Sequence, residues 1–274
     1  MRRRRRVLYI VLWVLVIAAI AVLGLRLLAP RAVASARVAD PAAAKAAGEA
    51  VLASRDATTL IVVAHPDDVE WWAGGTAALL ARRGRVVLVV GTSGERGDGG
   101  LVPGLGAIRE RLQREGGAVL GYSEIVFLQH PDGGLAQAAA FPSEVASAIA
   151  GVRPARIITF DVAKEAAGYH HVDHEAAGRV TAAAAQASGG VELLLMHTSA
   201  PDTIIDYAPV KDAKARAFAI LTSYHDLTPV VGPLSNWFGS LVAGRTITYG
   251  SKASYPEVGI EYGEVFRRVV IPAK

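Results

Sequence analysis

Two short stretches of this chain gather side chains that bind metals and move protons. The first is His65-Pro66-Asp67-Asp68-Val69-Glu70; the second is His170-His171-Val172-Asp173-His174. Three of the seven histidines fall within the five positions of the second stretch, and His65 is a fourth. A zinc ion in a hydrolytic site commonly takes three protein ligands, often two histidines and a carboxylate, and keeps a position open. His65 and Asp68 are three apart, and His171 and His174 repeat that spacing. Adjacent carboxylates such as Asp67 and Asp68 do not easily face one ion together. One of them can bind it while the other serves water as general base. Alone, His-Pro-Asp also suits an ordinary turn, and His170–His174 a polar helix start. The two stretches together favour a metal centre.

The elements that must position them are legible as alternating patterns. Leu60–Ala64, Arg85–Val90, Ile125–Gln129, Arg156–Phe160 and Val191–Met196 are short apolar runs of the kind that form buried parallel strands. Between them, Glu70–Arg83, Ala107–Leu120, Pro142–Val152 and His174–Ser188 read as helices. This alternation predicts a doubly wound, three-layer α/β fold with a mostly parallel, Rossmann-like sheet. Both stretches come after expected strands, the first and the fourth, and open sheets bind ligands beyond the carboxyl ends of strands. The last eighty residues alternate less clearly and are expected to add peripheral strands and a lid.

The HPDDVE run, Gly74-Gly75 after it and the downstream HVDH together resemble the LmbE-like (PIG-L) zinc de-N-acetylases. The likeness runs from about Leu60 to Arg268. It includes Thr92-Ser93-Gly94-Glu95-Arg96-Gly97, Arg109 twelve residues before Gly121, Pro131-Asp132-Gly133 and Glu264-Val265-Phe266-Arg267. The resemblance implies a hydrolase that removes acetyl from N-acetylglucosaminyl groups of small glycosides or glycolipids. It implies Zn²⁺, or another divalent metal such as Fe²⁺, on His65, Asp68 and His174. By the same resemblance Asp67 is the base, His171 stabilises the oxyanion, and Asp173 orients an imidazole. Glu95, Arg109 and Asp132 are expected at the substrate. Leu112, where the family usually has Glu, and Leu221-Thr222-Ser223-Tyr224 depart from the pattern and bear on substrate choice. A different N-acyl amide, or a non-catalytic metal-stabilised glycan-binding protein, are the alternatives; a free base at Asp67 argues against the second.

Charge and composition narrow the setting. Residues 1–31 hold seven arginines and no acid, leaving 22 basic against 25 acidic residues, a net of −3, over the rest. That removes the electrostatic case for nucleic-acid binding. The absence of cysteine excludes disulfides, thiolate metal sites and a Cys nucleophile. The Gly91–Gly100 loop matches neither phosphate-binding fingerprint. Val7–Leu25 is nineteen residues without a charge behind Arg2–Arg6, a pattern that predicts a transmembrane helix with its N-terminus in the cytoplasm. Cleavage near Ala34-Ser35-Ala36 is the alternative. The expected organisation is thus a basic anchor over 1–29, an Ala/Pro-rich stalk over 30–57 with a short helix near Pro41–Ala53, and an extracytoplasmic catalytic domain over 58–274. His130, His197 and His225 are expected to be structural or to add pocket polarity, with His130 nearest the rim. Trp71 and Trp72 are expected in the core or the pocket wall.

Overall fold

Five apolar runs form parallel strands: β1 (Thr59–Val63), β2 (Val86–Thr92), β3 (Glu124–His130), β4 (Arg156–Phe160) and β5 (Val191–Met196). They belong to a computed structural model that describes residues 37–97, 101–166, 170–227 and 252–274, with Trp13. β1, β2 and β4 are buried along their whole length, which is why they read as unbroken Val/Ile/Leu runs rather than alternating ones. Beyond them lie β6 (Thr203–Asp206), β7 (Ala253–Tyr255) and the long β8 (Ile260–Ile271). The sheet order is β3-β2-β1-β4-β5-β8-β6, with β7 also on β8. β8 runs antiparallel to β5, β6 and β7.

The chain leaves β1 in one direction to build β2 and β3, then crosses back to β4 on β1's other side. Right-handed crossovers therefore place the two sets of helices on opposite faces. α2 (Asp68–Trp72), α3 (Gly74–Ala81) and α4 (Leu105–Leu120) accompany the first direction. α5 (Phe141–Val152) and α6 (Val172–Ser188) pack on each other in the second. α7 (Lys211–Thr222) lies against α4. The gap between the carboxyl ends of β1 and β4 is the point where strand order reverses, the usual ligand crevice of such sheets.

Three expectations change here. The single helix expected over Glu70–Arg83 breaks at Ala73, because a carboxylate from β8 starts a second one. Glu264 accepts from Gly75 N (2.9 Å) and Thr76 N (2.7 Å) at the α3 terminus, and Lys214 of α7 donates to Glu264 at 2.6 Å inside the core. A Cβ on Gly75 would stand 2.4 Å from the Tyr207 side chain, so this approach requires glycine. Second, α1 (Pro41–Ala53) is not part of a free stalk. Asp40 caps it, and Ala44 and Val51 are buried. Its last turn accepts from Arg83 at Leu52 O (2.8 Å) and from Arg156 at Val51 O (3.1 Å). Third, the C-terminal part contributes helix α7 as well as strands.

No helix among the described residues is long and apolar enough to cross a membrane. Of Val7–Leu25 only Trp13 is described, and residues 228–251 of the last eighty, expected to add peripheral strands and a lid, lie outside the described residues.

Candidate metal centre

β1 ends at Val63, and the turn after it delivers three side chains in four residues. Asp68 opens α2, and its Oδ2 accepts from Ala64 N (3.1 Å) and His65 N (2.8 Å). Those two bonds fix the carboxylate and turn Oδ1 to His174 Nε2, 3.0 Å away. His65 Nδ1 lies 3.2 Å from the same His174 nitrogen and 3.7 Å from Asp68 Oδ2. Ligands ~2.0–2.1 Å from a tetrahedral zinc ion stand about 3.3 Å apart. His65, Asp68 and His174 thus present donors at the spacing one such ion needs. All three are buried.

The surrounding charge suits a cation. His65 Nε2 faces Asp132 Oδ1 at 3.2 Å and Asp173 Oδ2 at 3.4 Å. The negative charge of these two carboxylates beside Nε2 favours the tautomer protonated there, in which Nδ1 is the donor atom for a metal. Burial lowers the His65 pKa, but Asp132, Asp173 and Asp68 outweigh it and raise the ring well above its usual value. Burial alone would raise Asp68; His174 and His65 hold it well below the ordinary carboxylate range. Asp132 is likewise brought down to about 2, burial notwithstanding, chiefly by His65. The three buried carboxylates carry more negative charge than the imidazoles beside them offset. This charge balance, with N and O donors, fits a divalent ion of the zinc type.

The turn after β4 supplies the rest. His171 caps α6, its Nδ1 accepting from Asp173 N at 3.3 Å. A neutral ring that accepts at Nδ1 carries its proton on Nε2 and is a donor there. Burial, then His65 and His174, lowers the His171 pKa and keeps the ring neutral. A ring nitrogen of His171 also comes within 4.8 Å of those of His65 and His174. Asp173 accepts from Gly133 N (2.6 Å) and Leu135 N (3.0 Å), tying the loop after β3 to α6. The His174 ring stacks on Phe160 at 4.1 Å between centroids.

Asp67 stands apart from this set. Its backbone is left-handed, φ 97°, rare outside glycine. Its N–H donates to Gln113 Oε1 at 2.9 Å, and its Oδ2 accepts from Arg109 Nη2 at 2.9 Å. Burial raises the Asp67 pKa, with Arg109 opposing. Arg109 is buried and also donates to Pro66 O and to Gly94 O. A Cβ on Gly94 would meet Arg109 Nη1 at 2.1 Å, and Gly94 itself has φ 62°, so this loop needs glycine for the arginine to pass.

Of the residues expected at the substrate, Arg109 and Asp132 line a cavity of about 420 Å³ with His65, Asp67, Arg96, Gly97, Gly133, His171 and Tyr224. Glu95 is not among these walls; its Oε1 accepts from Asp132 N at 2.8 Å and so steadies the loop. His130 contacts Glu144 at 2.5 Å and is not a wall of the cavity either. His197 lies beside Trp72, and His225 beside Tyr224. Sequence reasoning gave Arg96, Tyr224 and Gln113 no role. Gln113 was findable: it lies four residues after Arg109 on α4, hence on the same face.

The chain is thus an α/β domain of sheet order 3-2-1-4-5 with a His/Asp donor set at its switch point. Residues 60–185 match the family described as PIG-L: GlcNAc-PI de-N-acetylase. A curated relative from Saccharomonospora viridis, a 1D-myo-inositol 2-acetamido-2-deoxy-alpha-D-glucopyranoside deacetylase, is 33% identical over 171 residues, 51% of this chain and 62% of that one. The chain spans about three-fifths of the length of the curated relatives it matches. Among solved structures, the N,N'-diacetylchitobiose deacetylase of Pyrococcus horikoshii shares 22% identity and a TM-score of 0.62, over 81% of this chain and 90% of that one. The 4-carboxy-2-hydroxymuconate hydratase of Pseudomonas putida shares 21% identity and a TM-score of 0.54, over 80% and 98%. These two likenesses show the fold, and the hydratase shows that the fold alone does not choose the reaction.

Proposed function

We propose that this chain is a zinc-dependent hydrolase that removes the N-acetyl group from an N-acetylglucosaminyl-type glycoside or glycolipid and releases acetate. One observation carries the reading. His65, Asp68 and His174 converge at ligand spacing, while the adjacent Asp67 is held out of that set with its carboxylate on the cavity. A purely structural ion would need no such base beside it. The named activity of the Saccharomonospora viridis relative supports the substrate class.

In this reading His65, Asp68 and His174 hold the ion, which when bound supplies Lewis-acid polarisation of the amide carbonyl and makes water more acidic. Asp67 takes the proton from the attacking water, and its raised pKa brings it closer to the working pH of a general base. Arg109 holds that carboxylate, and Gln113 holds the residue's N–H. His171 donates from Nε2 to the oxygen as it gains charge. Asp67 returns the proton to the departing amine as the C–N bond breaks. Asp132 and Asp173 position His65, and Arg96, Arg109 and Tyr224 offer donors to sugar hydroxyls.

We further propose that Val7–Leu25 anchors the chain in the cytoplasmic membrane, with the domain outside, on the strength of the Arg2–Arg6 block before nineteen uncharged residues. The direct test of the activity is acetate release by the zinc-loaded full chain from a panel of N-acetylated glucosides and glycolipids. Turnover of a glucosaminyl amide is expected; a fully metallated protein that releases no acetate from any of them would contradict the reading.

A further inference from the structure

A second cavity opens on the same centre. It holds about 340 Å³, and its walls among the described residues are Asp67, Asp68, Trp71, Trp72 and His174. Asp67 is the one described residue that walls both cavities. The two indoles stand at 64° with centroids 6.1 Å apart. Each is backed by a ring: Phe218 lies 5.2 Å from Trp71, and His197 lies 4.5 Å from Trp72. The first cavity is polar, with Arg96, Arg109, Asp132, His171 and Tyr224. Among the described residues, the second offers indole faces and no polar side chain beyond the metal centre and Asp67.

Resting on the reading that an amide is cut at Asp67, we infer that the tryptophan cavity receives the acyl side of that amide, with room for apolar acyl chains longer than the acetyl of that reading. A carbonyl carbon at the shared residue has two substituents to place. The amine side carries the sugar, whose hydroxyls need hydrogen-bond partners, and among the described residues the polar cavity supplies them. The acyl side then enters the apolar one. A volume of about 340 Å³ lies in the ~300–1,000 Å³ range that encloses a whole small ligand, far more than one methyl group fills. An aliphatic chain gains from burial there for each methylene it adds.

The test is kcat/KM of the zinc-loaded full chain on glucosamine N-acylated with acetyl, butanoyl and hexanoyl groups, with the hexyl glycoside of N-acetylglucosamine as control. The inference expects a rise of about fourfold per methylene until the cavity fills, and a flattened series in Trp71→Leu. Should that variant fail to fold, the wild-type series alone decides. A series that is flat, or that falls beyond acetyl, overturns the inference. So does a hexyl glycoside that outperforms N-hexanoylglucosamine, which would assign the cavity to the aglycone. If no amide at all is cleaved, the hydrolase reading fails and binding decides this one. Quenching of tryptophan fluorescence at least tenfold tighter for N-hexanoylglucosamine than for N-acetylglucosamine supports the cavity assignment, and equal affinities overturn it.

Discussion

In the turn after β1, the chemistry depends on side chains that arrive from elsewhere; in the turn after β4, it depends on the turn's own helix. Asp67 sits at φ 97°, a conformation that costs of order 1–3 kcal/mol for a non-glycine residue. Arg109 and Gln113, one helical turn apart on α4, hold its two ends. His171 and Asp173, by contrast, are the cap and first turn of α6, where an acceptor and an acid belong by helix physics. Each function is therefore vulnerable in a different place. The base turn fails through α4, and the imidazole turn fails through its own residues.

The largest effect expected is on the proposed base. Asp67→Asn removes the proton acceptor, and general-base contributions are typically ~10²–10⁴-fold, so kcat should fall by that order. Steady-state kinetics on N-acetylglucosaminides check it, and KM should move little if the group acts mainly in the transition state.

A second break lies beneath the same turn. Glu70 is fully buried, its Oε1 accepting from Gln113 (2.9 Å) and Tyr122 (3.2 Å). Burial pushes its pKa up from 4.5 to about 7. The native state then keeps a proton that the unfolded chain has lost, so this carboxyl's share of stability is full below pH 4.5 and declines as pH rises through 7. Glu70→Gln should flatten that decline and stabilise the protein at pH 8 by up to about 3 kcal/mol, at 1.36 kcal/mol per pKa unit. Urea unfolding of both proteins at pH 5 and pH 8 measures it.

The next two changes sharpen the contrast between the turns. Asp173→Asn alters the group that faces His65 Nε2, and loss of such outer partners costs typically ~10–100-fold in metal affinity; titration with a competing chelator reads it. Gln113→Leu leaves the Asp67 N–H without its acceptor, a loss worth ~1–3 kcal/mol for a buried group. It should lower kcat about tenfold with metal affinity unchanged. If Gln113→Leu loses metal and Asp173→Asn keeps it, the division between the turns is wrong.

Much of this was legible in the sequence for a physical reason. Strands buried on both faces must be apolar throughout, so β1, β2, β4 and β5 declare themselves, and the turns after β1 and β4 become the place to look for ligands. β8 hides because it serves three neighbours, with exposed and buried positions mixed along twelve residues. The break at Ala73 hides because its cause, Glu264, lies 189 residues from Gly75. Glu95 misleads because a loop carboxylate facing a ligand and one holding a neighbouring loop look alike in a motif. Gln113 shows the opposite case, a role set by helical spacing that the motif passes over.

The central claim is that two adjacent aspartates divide the work, Asp68 holding the ion and Asp67 moving the proton. Metal content of Asp67→Asn and Asp68→Asn, purified side by side with wild type and measured by elemental analysis, tests it most directly. The account predicts about one ion per chain in wild type and Asp67→Asn, and a large loss in Asp68→Asn. Equal metal content in the two variants, or loss confined to Asp67→Asn, would contradict it.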